Sequence, residues 1–128
     1  MKTIFKGIVV IVIAFMIAGC EKMFIDHPIA GHSFWQYGGD SIDDISAYKH
    51  FEKNGTFSES YQKKTYFGYE YHRYGAMRWS VDGNDITVYR DNSGVWSASE
   101  RGKEIYSGFY SPQDSTVTLN GLVYEYAY

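Results

Sequence analysis

Residues 77–88 read MRWSVDGNDITV, and they decide the fold. Met77, Trp79 and Val81 fall on one side of an extended chain, with Arg78 and Ser80 on the other. Beyond Asp82-Gly83, Ile86 and Val88 resume the apolar side and Thr87 the polar one. A period of two on both flanks of an Asp-Gly pair is the signature of a hairpin with one apolar face, because Gly and Asn accept the positive φ that tight turns need.

Working outward, the same punctuation recurs at short spacing: GGD at 38–40, KNGT at 53–56, NSG at 92–94, RGK at 101–103, SPQD at 111–114 and NG at 120–121. Strand-like runs lie between these turns. Ile105 and Phe109 alternate with Tyr106 and Tyr110, and Val117 and Leu119 alternate with Thr116 and Thr118. The final LVYEYAY sets Tyr124, Tyr126 and Tyr128 on one side. Only DSIDDISAYKHF (40–51) offers a helical turn, with Asp43 and Asp44 placed where a helix start favours negative charge. The pattern predicts an all-β fold, an antiparallel up-and-down meander of eight or nine short strands. A sheet of that size splits in two or closes on itself, and a closed or nearly closed barrel, which removes exposed edges, is favoured over a sandwich.

The N-terminal stretch MKTIFKGIVVIVIAFMIAGC has Lys2 and Lys6, then an apolar run from Gly7 to Ile17, then the small pair Ala18-Gly19. This is the layout of a secretory signal peptide. The run falls short of the roughly 20 residues that a membrane-spanning helix needs. It ends at Cys20, the chain's one cysteine. The tetrapeptide Ile17-Ala18-Gly19-Cys20 resembles the lipobox of bacterial lipoproteins. That resemblance implies acylation of the Cys20 thiol, with palmitate as a typical chain, cleavage after Gly19, and attachment to the membrane through the N-terminal lipid. Glu21, in place of an Asp, points to the outer membrane, with the periplasmic or the surface face left open. The expected organisation is a signal peptide at 1–19, a lipidated tether at 20–30 and a β domain at 31–128.

Removal of the signal leaves roughly 110 residues, one domain that holds its core without a disulfide. The chain carries a net charge of −3 and its signal takes two lysines away, so nucleic acid is excluded as a partner. Thirteen Tyr, eight Phe and three Trp dominate the composition. Rings of this kind pack on pleated surfaces and also line interfaces and ligand walls.

GHSFWQ (31–36), FEKNGTF (51–57) and WSVDGNDITV (79–88) together resemble the lipocalin-like β-barrel domains of small bacterial envelope lipoproteins. Gly31 and Trp35 stand four apart, where lipocalins have Gly-x-Trp. The resemblance implies a barrel whose rings wall a cavity for a small hydrophobic or glycan-like ligand. The candidate lining residues are Trp35, Tyr69, Tyr71, Trp79, Trp96, Phe109 and Tyr124, within a wider set that includes Phe51, Phe57 and Tyr126. The alternative is a filled core, with KKTYFGYEYHRYGAMRW (63–79) serving as a Tyr- and Arg-rich ribbon for an envelope protein partner. His27, His32, His50 and His72 lack metal-ligand spacing, and Asp40, Asp43 and Asp44 lack the pattern of a calcium loop. Glu59 and Glu70 form the one conceivable acid/base couple, and no nucleophile motif is present. The expectation is a binding protein that performs no catalysis and carries no cofactor.

Overall fold

The computed structural model describes residues 24–127. Eight strands run antiparallel in chain order and close into a barrel. They are β1 (His32–Gln36), β2 (Ile45–Phe51), β3 (Thr56–Thr65), β4 (Gly68–Asp82), β5 (Asp85–Arg90), β6 (Glu104–Ser111), β7 (Thr116–Leu119) and β8 (Leu122–Ala127). The seam pairs β1 with β8, Ser33 opposite Ala127 and Trp35 opposite Glu125. Meander and closure are as the turn spacing implies. The helical turn does not form. Ser41 to Asp43 make a turn, and the alternating run from Ile45 pairs with β1 and β3 along its length.

Period-two alternation puts Phe34, Phe51, Phe57, Met77, Trp79, Ile86, Val88, Val117, Leu119 and Tyr124 inside, all buried. Their rings interlock edge to face: Phe51 meets Phe34, Phe57 and Trp79 at centroid distances of 5.9, 5.1 and 5.1 Å. Such arrangements favour aromatic pairs beyond the area they bury. The base of the barrel is closed by the KNGT turn and by the segment leading into β1. Trp79 ties down the turn, its indole N–H donating to the Glu52 carbonyl at 2.9 Å and its backbone N–H to the Gly55 carbonyl at 2.9 Å. Ile29 and Ala30 are buried in the core, while Phe24 is exposed. His27 latches this segment to the β4–β5 turn, its Nε2 lying 2.9 Å from the Gly83 carbonyl. Cys20 lies outside the described residues.

Two departures from regular pairing shape the other end. Phe57 pairs with Met77 but Glu59 pairs with Tyr74, so one extra residue is taken up at Gly75-Ala76, with Ala76 in the left-handed region at φ 61°. Such a bulge bends and twists the strand that carries it. Above the bulge, Tyr69 to Gly75 are exposed on both faces of β4, so β3 and β4 extend past the barrel rim as a ribbon. A second register shift falls between Val88 and Tyr89, next to the long loop at 91–103.

Gly108 marks a place where two backbones meet. A Cβ there would stand 1.7 Å from the Thr118 carbonyl oxygen of β7, whereas a Cβ on Gly75 meets nothing within 4 Å. Glycine in a strand commonly marks such an approach. Gly108→Ala is expected to lower stability by about 2 kcal/mol or more, the upper part of the overpacking range. Gly75→Ala should stay within about 0.5 kcal/mol of the parent. Urea midpoints of the two variants check the contrast.

Candidate functional site

The barrel interior holds one charged pair among its rings. Lys49, on the inward side of β2, is 2% exposed, and its Nζ lies 2.5 Å from Glu59 Oε2. The same carboxylate oxygen accepts the Tyr106 hydroxyl at 2.7 Å. Three tyrosine rings surround the ammonium, with Tyr61, Tyr106 and Tyr124 centroids at 5.3, 4.8 and 5.3 Å. A desolvated ammonium gains from the negative faces of such rings. Burial, and then the hydrogen bond to Glu59, push the Tyr106 hydroxyl well above the usual tyrosine range. Burial also raises Tyr124, partly offset by Lys49. Both phenols therefore stay protonated, and Tyr106 remains a donor.

The wall opens beside this network. A cavity of about 380 Å³ cuts through at the β4 bulge, with Glu59 reaching it from inside, Arg73 from outside, and Arg90, Met77, Trp96 and Ile105 around it. Trp96 comes from the 91–103 loop, and its indole N–H donates to the Ala76 carbonyl at 2.6 Å. The Asp91 N–H donates to the same carbonyl at 3.0 Å. The two bonds hold the strained Ala76, whose backbone conformation costs about 1–2 kcal/mol in an L-residue.

The outer face of β1 to β4 carries a different assembly. Trp35 and Tyr48 face each other across β1 and β2 with centroids 5.6 Å apart and planes 27° apart. Tyr48 lies 6.2 Å from the His50 ring, stacked with planes nearly parallel at 3°. His50 is pinned across three strands: Nδ1 lies 2.6 Å from Ser33 Oγ and Nε2 lies 2.8 Å from Ser60 Oγ. The Tyr48 hydroxyl donates to Gln62 at 3.3 Å. Two shallow clefts flank Tyr48. One, of about 250 Å³, is bounded by Trp35, Tyr48, Tyr126 and Ala127. The other, of about 280 Å³, runs between Tyr48, His50, Ser60, Gln62 and Tyr71. Burial, then Tyr71 and Tyr69, raise the Tyr48 pKa. Beside the platform, a hydrogen bond to Asp40 pushes Tyr37 up to about 12.

The seven candidate lining residues are thus distributed over four places. Trp79 and Tyr124 are in the packed core, and Trp96 borders the side cavity. Trp35, Tyr69 and Tyr71 belong to the outer face of β1 to β4. Phe109 also points outward, 48% exposed on β6, because Tyr106, Gly108 and Tyr110 take the inward positions. Glu59 and Glu70 do not pair. Glu59 binds Lys49, and Glu70 lies on the exposed ribbon, 4.0 Å from His72. Sequence reasoning missed Tyr48 and His50 of the outer face, and Lys49, Tyr61, Tyr106 and Arg90. A signal existed for Lys49: the alternation that places Ala47 and Phe51 inward carries it in with them. Among the described residues, no group of three or more His, Cys, Asp and Glu is placed to hold a metal ion.

The fold and its sites define a small, aromatic-rich antiparallel β-barrel with a polar pair at its centre. No protein-family model, curated protein or solved structure matches the chain.

Removing one member of a buried ion pair leaves the other charge unpaired and typically costs about 3–5 kcal/mol. Lys49→Met and Glu59→Gln should each lose stability on that scale, and the double variant should lose clearly less than the sum, by about 1 kcal/mol or more. Chemical denaturation of the four proteins in a double-mutant cycle measures it. A second expectation concerns pH. Burial, with the Arg73 and Lys49 charges opposing Glu52, lowers the His50 pKa in the fold. The unfolded chain then takes up this proton first, so the stability tied to a neutral His50 is complete above the ordinary histidine pKa of about 6.5 and is lost as pH falls below it, levelling off below the folded value. Between pH 7.5 and 5.5, His50→Gln should lose less stability than the parent.

Proposed function

We propose that this chain is a lipid-anchored envelope protein that binds a glycan-like ligand on the outer face of β1 to β4, with no chemistry of its own. The observation that carries this reading is the Tyr48 platform. Flat rings of Trp35, Tyr48 and His50 follow one another along the outside of the barrel, between two clefts edged by hydroxyl and amide groups. Pyranose rings stack on such faces, and Gln62, Ser60 and the tyrosine hydroxyls supply the few polar contacts that fix orientation. His50 is uncharged at neutral pH, so the face suits a neutral sugar. A small hydrophobic ligand in the barrel axis has less support, since Trp79 and Tyr124 are occupied in packing.

Lipid attachment at Cys20 rests on the lipobox resemblance and suits the architecture. Cys20 stands four residues before Phe24, at most about 14 Å of extended chain. Ile25 then hydrogen-bonds to Lys53 at the barrel base. The base would face the bilayer, and the ribbon and the 91–103 loop would point away from it. A second reading, docking of an envelope protein, is favoured by one observation: the ribbon ends in Tyr66 and Phe67, 83% and 102% exposed.

The test is binding of the intact lipoprotein in detergent to a panel of neutral oligosaccharides. Trp35→Ala and Tyr71→Ala should each weaken binding tenfold or more with the thermal midpoint retained. Uniform failure to retain any oligosaccharide rejects the glycan reading. Loss of a crosslinked envelope protein on Tyr66→Ser with Phe67→Ser would support the second. Cys20→Ser should abolish incorporation of a palmitate analogue and release the protein from membranes. Unchanged labelling rejects the anchor.

A further inference from the structure

The side cavity at the β4 bulge is separate from the outer platform, and its chemistry is different. It is preformed, and its volume of about 380 Å³ falls within the range of small-molecule sites. Trp96, Met77 and Ile105 supply apolar wall. Two guanidinium groups border it. Arg90 lies over the Trp96 ring at 5.0 Å and pairs with Glu100 through Nη1 at 3.2 Å. Arg73 spends one donor on Ser58 Oγ at 3.0 Å. The one acid reaching the cavity, Glu59, is already engaged by Lys49 and Tyr106. Counting Lys49, Arg73 and Arg90 against Glu59 and Glu100, positive charge is in excess.

From this geometry we infer that the cavity is a binding site for a small organic carboxylate with an aromatic or branched apolar body. The acid group lies against the Arg90 guanidinium where it borders the cavity, with Arg73 adding charge at the outer edge. The body lies on Trp96 between Met77 and Ile105. An arginine fork matches a carboxylate in a way a lysine cannot. A neutral amide of the same shape satisfies one donor and leaves the charge unanswered. The inference stands independently of the glycan reading, because none of the platform residues Trp35, Tyr48 and Tyr71 borders this cavity.

The experiment is an NMR titration of the folded protein with phenylacetate, and with phenylacetamide as its uncharged counterpart, following the Trp96 indole N–H and Arg90 Nε–H signals. Saturable shifts of both signals with phenylacetate, at least tenfold weaker with phenylacetamide, are the expected result. Arg90→Gln should abolish them. Should that variant fail to fold, Gly75→Leu provides the second control. Gly75 borders the cavity and a Cβ there would meet nothing within 4 Å, so a leucine at this position is chosen to narrow the mouth. Trp35→Ala should leave the phenylacetate titration unchanged, which separates this site from the platform. Absence of saturable shifts with phenylacetate, equal response to the amide, or undiminished binding in Gly75→Leu would each overturn the assignment.

Discussion

The Lys49–Glu59 pair is the interaction on which the rest of the barrel depends. A charge pair removed from water is stabilising only when geometry and extra hydrogen bonds are right. Here the two residues face each other across β2 and β3, Tyr106 of β6 satisfies the carboxylate, and Tyr61 and Tyr124 complete the cage around the ammonium. Four strands therefore have to agree on one register. A one-residue slip of β2 would turn Lys49 outward, leave Glu59 buried alone, and bring Tyr48 or His50 into the core. An apolar filling would tolerate such errors better. The same register that seats Lys49 inside sets Tyr48 and His50 on the outer platform.

That pairing explains why the aromatic residues divide as they do. Phe and Trp dominate the lower core, where Phe34, Phe51, Phe57 and Trp79 need no polar partner beyond the one Trp79 finds at Glu52. Tyr61, Tyr106 and Tyr124 gather around the ion pair, while Tyr110 and Tyr126 pack edge to face on Phe34. Tyr48, Tyr66, Tyr69 and Tyr71 go outside, onto the platform and the ribbon. An abundance of tyrosine in the sequence is thus the sum of two uses that composition alone does not separate.

Much of the fold was legible because alternation is a local property. Met77, Trp79, Val81, Ile86 and Val88 face inward as the opening hairpin requires, and the turn signals bound the strands. What was illegible depends on partners distant in sequence. Lysine at position 49 reads as solvent-facing until Glu59 and three tyrosines from other strands surround it. Tyr74 and Met77, three residues apart, share a side because a bulge intervenes, and no dipeptide signal marks Gly75-Ala76 as its site. Phe109 faces solvent because Tyr106, Gly108 and Tyr110 hold the inward positions of β6, and Gly108 is the one residue that fits against the Thr118 backbone. Of the platform's rings, Trp35 was a candidate from the sequence, whereas Tyr48 and His50 join it only through pairing across β1, β2 and β3. The side cavity could not be read from the sequence, since it exists only where the 91–103 loop crosses the bulge.

The β1–β8 seam has a consequence for how the molecule is made. Its first strand is completed only by its last, with Ser33 opposite Ala127, so no N-terminal portion of the chain can close the barrel alone. Pairing between residues so distant in sequence comes at a high loop-closure cost and forms late. A growing chain consequently stays open and threadable until its final strand has been released. The seam thus acts as a timer: closure waits for the last strand, and the sheet edges are open to the wrong neighbours during that interval.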